Sequence, residues 1–149
     1  MPDLSGFFAP DGTHRFPLRV YYEDTDAGGI VYHANYLRFV ERARSEMLRR
    51  LGLSHGALAG EAGVSFAVRR VKIDFVAPAR LEDTLEVETR ITDIGGASFA
   101  VAQSVRRDGH LLARADLTIA MINRTGRPAR LPAAVREALF DLYQRQTRD

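Results

Sequence analysis

Chemically capable side chains are concentrated in residues 24–36, which join a predicted strand to a predicted helix. These 13 residues contain Asp24, Asp26, His33 and Asn35, together with two adjacent glycines. Glycine tolerates backbone angles closed to other residues and lets a ligand approach the main chain closely. The segment ends at a helix N-terminus, where unpaired N–H groups and the helix dipole favour negative charge. A carboxylate beside such an oxyanion-stabilising site indicates attack on a carbonyl group.

Two predicted elements position this segment. Before it, residues 16–23 alternate between apolar and polar side chains, which predicts a half-buried strand with Tyr22 on its inward face. After it, apolar side chains recur at helical spacing from Asn35 to Leu51, and Gly52 predicts the end of the helix. Such a helix is roughly 25 Å long at 1.5 Å per residue, which is long enough to form the centre of a domain.

The rest of the chain is dominated by segments in which apolar and polar residues alternate. Four of them are predicted to be strands, at residues 64–76, 84–94, 97–107 and 111–122. In the first, the apolar positions change phase near Arg69 and Arg70, which indicates a β-bulge. In the last, Leu111 and Ala113 are predicted to share one face. Residues 132–146 are predicted to form a C-terminal helix.

This order of elements predicts one α+β domain over residues 1–149. We expect a curved antiparallel sheet of about five strands along one long central helix, with the C-terminal helix as an addition. Residues 1–14 contain two prolines and two glycines and are predicted to form a loosely held arm.

Composition excludes several classes of function. A chain of 149 residues with 46% apolar and 27% charged residues is typical of one globular domain. It contains no cysteine, which excludes disulfides, thiolate nucleophiles and cysteine-based metal sites. The four histidines show no metal-ligand spacing, so we predict no metal and no cofactor. Because the net charge is only +2 and the basic residues are scattered, nucleic acid is not a predicted partner.

Signals for export or membrane insertion are not found in the sequence. The N-terminal residues lack the basic start and apolar run of a signal peptide. No apolar stretch approaches the ~20 residues that a membrane span requires. We therefore expect a cytoplasmic protein without membrane insertion.

A long motif is carried by residues 22–36, which read YEDTDAGGIVYHANY, and by FVERAR at 39–44. Together with FVAPARLED at 75–83, it resembles the 4-hydroxybenzoyl-CoA thioesterase family, and within it the bacterial acyl-CoA thioesterases encoded alongside the Tol–Pal envelope system. The resemblance covers residues 15–130. It implies the hotdog fold, in which a curved sheet wraps one central helix, and an acyl-CoA substrate. It also implies a homo-oligomer, either a dimer or a tetramer of paired dimers, with active sites at the subunit interface.

The resemblance also implies roles for individual residues. Asp26 corresponds to the catalytic carboxylate, and the backbone N–H near His33 corresponds to the group that polarises the thioester carbonyl. The His33 side chain is likewise identified as an active-site residue. Tyr32, Asn35 and Tyr36 are predicted to bind substrate. Whether Asp26 acts as general base or attacks directly to give a mixed anhydride stays open at this point.

Three basic residues, Arg69, Arg70 and Lys72, are predicted to contact the phosphates of coenzyme A. The alternative for all three is a solvated strand face. Asp26 also has an alternative, because aspartate is common in turns and helix caps. Asp24 is predicted to brace the loop by accepting hydrogen bonds from backbone amides.

Other titratable residues are predicted to lie outside the site. Glu41 is a rival catalytic carboxylate, but its arginine neighbours favour an ion-pair role. The histidines His14, His55 and His110 occupy strand, link and turn positions and are predicted to be surface residues.

Hydrolysis of an acyl-CoA thioester is therefore the predicted function. One alternative is a non-catalytic hotdog protein that binds acyl carrier protein or envelope components, which makes acyl carrier protein a second candidate partner. The other is a hotdog dehydratase, which needs a histidine and an acid placed across the dimer for proton transfer. Here the acid precedes the histidine in one loop, which favours hydrolysis.

Overall fold

A computed structural model of the chain describes residues 4–61 and 63–147. In chain order its elements are β1 (Phe7–Phe8), β2 (His14–Arg19), a 3₁₀ turn (Tyr22–Asp24), α1 (Asn35–Arg50), α2 (His55–Glu61), β3 (Val64–Phe75), β4 (Thr84–Ile94), β5 (Ser98–Arg107), β6 (His110–Asn123) and α3 (Ala133–Thr147). The predicted α+β order of strand, long helix, four strands and terminal helix is therefore present.

One antiparallel sheet contains all six strands in the order β1-β2-β4-β5-β6-β3. The prediction of about five strands missed β1, which has only two residues and is too short to show an alternating pattern. Strand β3 lies at one end of the sheet and pairs with β6 along a single edge. Its other edge has no strand partner among the described residues, a feature that matters for assembly.

Bulges set which side chains face the core. The register of β3 against β6 shifts between Val68 and Arg70, so the predicted bulge is confirmed. A second shift, in β6 opposite Val105, places both Leu112 and Ala113 in the core. The predicted pairing of Leu111 and Ala113 on one face is therefore wrong, because strict alternation does not survive a bulge.

Helix α1 packs against the inward faces of β2, β4 and β5 and forms the centre of the core. Phe39, Val40, Ala43 and Met47 are almost completely buried. Burying a side chain of the Phe or Met kind contributes roughly 1.5–3 kcal/mol to folding. The helix ends where Gly52 adopts a φ of 78°, a left-handed conformation that glycine reaches without strain.

The N-terminal segment is held more firmly than predicted. Phe7 and Phe8 pair with β2, so the described part of residues 1–14 is not a loose arm. His14 is fully buried and its Nε2 atom lies 2.7 Å from the carbonyl oxygen of Ser5. Burial lowers the pKa of His14, against the opposing effect of that hydrogen bond. The prediction that His14 is a surface residue is wrong, because it pairs within the sheet beneath residues 5 and 6.

Helix α3 joins the N-terminal segment around Gly12 to strand β4. The Gln146 side chain donates from Nε2 to the carbonyl oxygen of Gly12 at 3.1 Å and accepts the N–H of Ile91 at 3.0 Å. The pairing of β4 with β2 ends at Thr89, so Ile91 has no β2 partner, and Gln146 satisfies its N–H instead. Within the described ranges, no helix has the length and apolar character needed to cross a membrane.

Candidate active site

The segment that joins β2 to α1 folds back on itself as a tight loop. Thr25 bridges Val31 in antiparallel fashion, and the N–H of Asp26 donates to the carbonyl oxygen of Ile30 at 2.8 Å. Gly29 has a φ of 80° at the turn, a conformation that a side chain would strain. The adjacent pair of glycines in the motif therefore serves the turn as well as ligand access.

Asp24 braces this loop, as predicted from its position. Its Oδ2 atom accepts the N–H of Tyr21 at 2.8 Å, which starts a 3₁₀ turn and leaves Tyr22 largely exposed. The predicted inward position of Tyr22 is therefore wrong. The Asp24 carbonyl oxygen accepts the N–H of Tyr32 at 3.0 Å and the Nδ2 group of Asn35 at 2.9 Å. Asn35 thereby ties the loop to the start of α1, and its contact with substrate stays a prediction.

Asp26 lies exposed at the tip of the loop. Its Oδ1 atom accepts the N–H of Gly28 at 2.8 Å and, at 3.4 Å, the N–H of Ile30. Its Oδ2 atom accepts no hydrogen bond from a described residue. The turn role that residue type suggested for Asp26 is therefore visible on one oxygen, while the other oxygen is available to a ligand or a water.

A cavity of about 340 Å³ opens beside this loop, and we call it the Tyr36 cavity. It is lined by Ile30, Val31, His33, Tyr36, Phe75, Val76, Ala77 and Pro78. Tyr36 is held in place because its hydroxyl accepts the N–H of Ala79 at 3.0 Å. The ring of Phe75 lies 5.4 Å from that of Tyr36 and 6.2 Å from that of His33, centroid to centroid. The cavity is thus apolar, with one imidazole in its wall.

The start of α1 supplies free donors at this wall. The N–H groups of Asn35 and Tyr36 are used by the carbonyl oxygens of Tyr32 and His33, at 2.8 and 3.3 Å. The N–H groups of His33 and Ala34 donate to no described residue, and Ala34 offers no side-chain cap. Unpaired N–H groups at a helix N-terminus bind negative charge. His33 lines the Tyr36 cavity and Ala34 is the next residue, so the start of α1 adjoins the space in which a ligand would lie.

The structure brings together some of the predicted site residues and leaves others apart. His33 and Tyr36 line the cavity, and Ile30, whose main chain pairs with Asp26, adjoins them. Tyr32 does not line the cavity but stacks beside His33, with ring centroids 4.6 Å apart. Arg69, Arg70 and Lys72 are exposed on β3, and none forms an ion pair with a described residue.

The sheet places Arg70 and Lys72 away from the cavity. Side chains of a strand alternate between its two faces, and Ile73 packs on the core. Arg70 and Lys72 alternate with Val71 and Ile73, so the two basic side chains lie on the outer face of β3. Cavity and basic residues therefore occupy different faces of one strand in the single chain. Their predicted contact with coenzyme A stays a prediction.

A buried polar network behind α1 was missed by sequence reasoning. Arg44 is only 7% exposed and donates from one Nη to Oε1 of Gln103 at 3.1 Å. Gln103 in turn donates from Nε2 to the carbonyl oxygen of Val40 at 2.8 Å and to Oγ1 of Thr89 at 3.0 Å. The only signal in the sequence was a polar residue at an inward position of an alternating strand, with an arginine one turn after Val40 in the apolar stripe.

Burial lowers the pKa of Arg44, and the negative charge of nearby Glu41 opposes that shift. Glu41 itself is exposed on the helix and forms no ion pair with a described residue, so its predicted ion-pair role stays a prediction. Across the described residues, no group of three or more His, Cys, Asp or Glu side chains is arranged to hold a metal ion.

Comparison with known proteins places this geometry in a family. Residues 20–139 match the model of the thioesterase-like superfamily. The acyl-CoA thioester hydrolase YbgC of Escherichia coli O6:H1 is 46% identical over 123 residues, which cover 81% of this chain and 91% of the relative. The acyl-CoA thioesterase YbgC of Haemophilus influenzae is 41% identical over 133 residues, covering 89% and 98%.

A solved structure agrees with these relatives. The crystal structure of a probable thioesterase from Bartonella henselae is 44% identical, with a TM-score of 0.78, and covers 80% of this chain and 99% of that one. The hotdog fold implied by the motif is thereby confirmed. The family match extends over most of the chain, from the end of β2 into α3. This chain belongs to the thioesterase-like superfamily.

Proposed function

We propose that this protein hydrolyses acyl-CoA thioesters to a free carboxylic acid and coenzyme A. The observation that carries the proposal is a helix N-terminus at the wall of an apolar cavity: His33 lines the cavity, and its N–H and that of Ala34 donate to no described residue. Fixed donors of this kind stabilise the charge that develops on a carbonyl oxygen during attack. The relatives named as acyl-CoA thioesterases support the choice of substrate.

The geometry supports a short reaction sequence. The thioester carbonyl oxygen accepts the free N–H groups at the start of α1, with the acyl group in the Tyr36 cavity. Asp26, through its free Oδ2, takes a proton from a water that adds to the carbonyl carbon. The tetrahedral intermediate then collapses, the carbon–sulfur bond breaks, and the thiolate leaves and is protonated. The alternative is direct attack by Oδ2 on the carbonyl carbon, which breaks the carbon–sulfur bond, expels the thiolate and forms a mixed anhydride that water then hydrolyses to the free acid.

The working form in this proposal is a homo-oligomer. The unpaired edge of β3 is accompanied by exposed apolar side chains, namely Leu37, Val68, Val71, Phe75 and Val76. Contiguous exposed apolar residues beside a free strand edge mark an interaction surface. We assign a second copy of the chain to this surface, as a dimer or as a tetramer of paired dimers. We also propose the cytoplasm as the site of action and acyl carrier protein as a second binding partner.

Release of free thiol from a panel of acyl-CoAs tests the proposed function. We expect purified protein to release coenzyme A at a rate that depends on the acyl group, because the Tyr36 cavity contacts that group. A thiol reagent measures the release directly, and heat-denatured protein provides the background. The absence of release above background across short, long and aromatic acyl groups would contradict the proposal and favour a binding protein.

Arg69, Arg70 and Lys72, which are exposed on β3, are proposed to hold the phosphates of coenzyme A. Replacing each by alanine should raise KM while kcat changes little, since an interaction of equal strength in the ground state and the transition state affects binding alone. Added salt should raise the wild-type KM in parallel, because exposed charge pairs are screened. Arg124→Ala, an exposed arginine outside β3, is the control. An unchanged KM in all three variants would contradict the proposal and favour the alternative, in which these residues only form a solvated strand face.

A further inference from the structure

A second cavity, of about 170 Å³, lies between α1, α2, β3 and β6, and we call it the Arg44 cavity. Its apolar walls include Leu48, Phe66 and Ile119, and its polar lining consists of Glu41, Arg44 and His55. The proposed hydrolysis does not use these residues. A cavity that combines apolar walls with a few convergent polar groups is typical of a small-molecule site.

Arg44 is the unusual member of this lining. It is a charged side chain, more than nine-tenths buried, whose hydrogen bond to a described residue is the one to Gln103. A guanidinium has five N–H donors. The described side-chain nitrogens that are both fully buried and without a hydrogen-bond partner include none from Arg44. The Arg44 donors that do not bond to Gln103 are therefore not sealed off and face open space. Since Arg44 lines the cavity, a ligand there would meet a fixed cation with free donors.

The surroundings of Arg44 argue against a purely structural role. Burying a cation is costly unless it is paired and hydrogen-bonded. Gln103 supplies a neutral acceptor, and Glu41, which also lines the cavity, forms no ion pair with Arg44 among the described residues. Gln103 is itself fixed by Val40 and Thr89, so the network holds the guanidinium in one orientation. A preorganised and incompletely satisfied donor is suited to binding an acceptor that arrives with a ligand.

The position of this cavity connects it with the thioester site. Tyr36 and Arg44 are eight residues apart on one face of α1, about 12 Å along the axis. Side chains on a helix lean toward its N-terminus. The guanidinium of Arg44 is therefore closer to Tyr36 than the Cα atom of Arg44 is. Between the two cavities, the inward face of β3 exposes Val71. An acyl group that starts at the helix N-terminus and follows this apolar strip ends at Arg44.

We propose that the Arg44 cavity is a subsite for the far end of the acyl group, where Arg44 selects groups that carry a hydrogen-bond-accepting oxygen there. This inference rests on the proposed thioesterase function. The oxygen belongs to a carboxylate or a hydroxyl, and both would accept from the guanidinium. An acyl group with a methyl end would leave the buried donors unpaired, and an unmade bond of that kind is costly.

Matched substrates test the subsite. Straight-chain acyl-CoAs of four to eight carbons are compared with counterparts that carry a terminal hydroxyl or carboxylate. We expect wild-type protein to prefer the oxygen-ended member at one chain length. In Arg44→Met, that preference in kcat/KM should fall by about 10- to 100-fold, the range for a hydrogen bond to a charged group. The methyl-ended substrates should be much less affected, and the two oxygen-ended arms identify which oxygen is preferred.

Two further variants separate selection from folding. Arg42→Met changes an exposed arginine two residues away on α1 and should leave the preference unchanged. Arg44→Lys keeps the charge but not the fork, and should retain part of the preference for a carboxylate. A wild type without any preference would overturn the proposal. The proposal would also be overturned if Arg44→Met lowered the melting temperature, or lowered the activity on all substrates equally, while the ratio of kcat/KM between oxygen-ended and methyl-ended substrates stayed constant.

Failure of the subsite is distinguishable from failure of the proposed function. If no acyl-CoA releases thiol, hydrolysis is contradicted, but binding of free acids to the folded protein still reports on the cavity. Calorimetry with hydroxy and dicarboxylic acids of four to eight carbons should then show weaker binding to Arg44→Met than to Arg42→Met. Equal binding to both variants would overturn the subsite.

Discussion

Asp26→Asn should lower thioester hydrolysis by about 10²–10⁴-fold, the range for losing a positioned acid–base group. The amide keeps an Oδ1 acceptor for the N–H groups of Gly28 and Ile30, so the loop keeps its hydrogen bonds. It removes the basicity and the negative charge from Oδ2, which is the atom free to meet a water or the thioester. Steady-state thiol release measures the loss, and coenzyme A binding should persist.

Asp24→Asn is the matched control for this substitution, two residues away in the same loop. Asp24 is buried and accepts the N–H of Tyr21 through Oδ2, so neutralising it tests the brace and not the chemistry. If Asp26 is only a turn residue, Asp26→Asn should keep its turnover, and Asp26→Ala, which removes the Oδ1 acceptor, should lose roughly 1–2 kcal/mol of stability as for a lost cap. Full activity with an unchanged melting temperature would exclude Asp26 from the mechanism. Glu41→Gln would then be the next variant to assay.

Local chemistry in the loop was predictable because its determinants are adjacent in sequence. Asp24 as a brace, the turn at the glycines and the helix start after His33 all follow from residue types within one short segment. The cavity was not predictable in the same way. Residues 75–78, which complete its wall, lie about 40 positions further along the chain and arrive there through the pairing of β3 with β6. Alternation fixes which side a residue faces but not which distant residue it meets.

The errors in the fold have the same origin. Tyr22 continues an alternating pattern, but the hydrogen bond from Tyr21 to Asp24 ends the strand and starts a 3₁₀ turn. His14 belongs to a polar-looking N-terminus, yet pairing with β4 and contact with residue 5 bury it completely. Gln103 carries an inward polar group whose partners lie on α1 and β4. In each case a side-chain bond overrides the periodic pattern.

Val71→Asp should convert the oligomer to a monomer and reduce hydrolysis. Val71 is 40% exposed on the inward face of β3, at the centre of the apolar surface assigned to the second copy. An aspartate there buries a charge on association, and two-fold pairing brings like charges together, which costs several kcal/mol. Each ~1.4 kcal/mol of lost association free energy raises Kd about tenfold, so the dimer should dissociate at micromolar concentration. Light scattering should give a mass of 16.6 kDa for the variant and a multiple of it for wild type.

Thr92→Asp is the matched control, because Thr92 is exposed on β4, an interior strand of the sheet that lies apart from the edge formed by β3. It should remain associated and active. If the second copy closes the strip between the Tyr36 and Arg44 cavities, the Val71→Asp monomer should lose activity together with its association and regain part of both at high protein concentration. A wild-type protein that stays at 16.6 kDa at micromolar concentration would contradict the assembly. A Val71→Asp variant that remains associated would also contradict it. After either result, the exposed apolar strip on β3 would be assigned to the acyl chain alone.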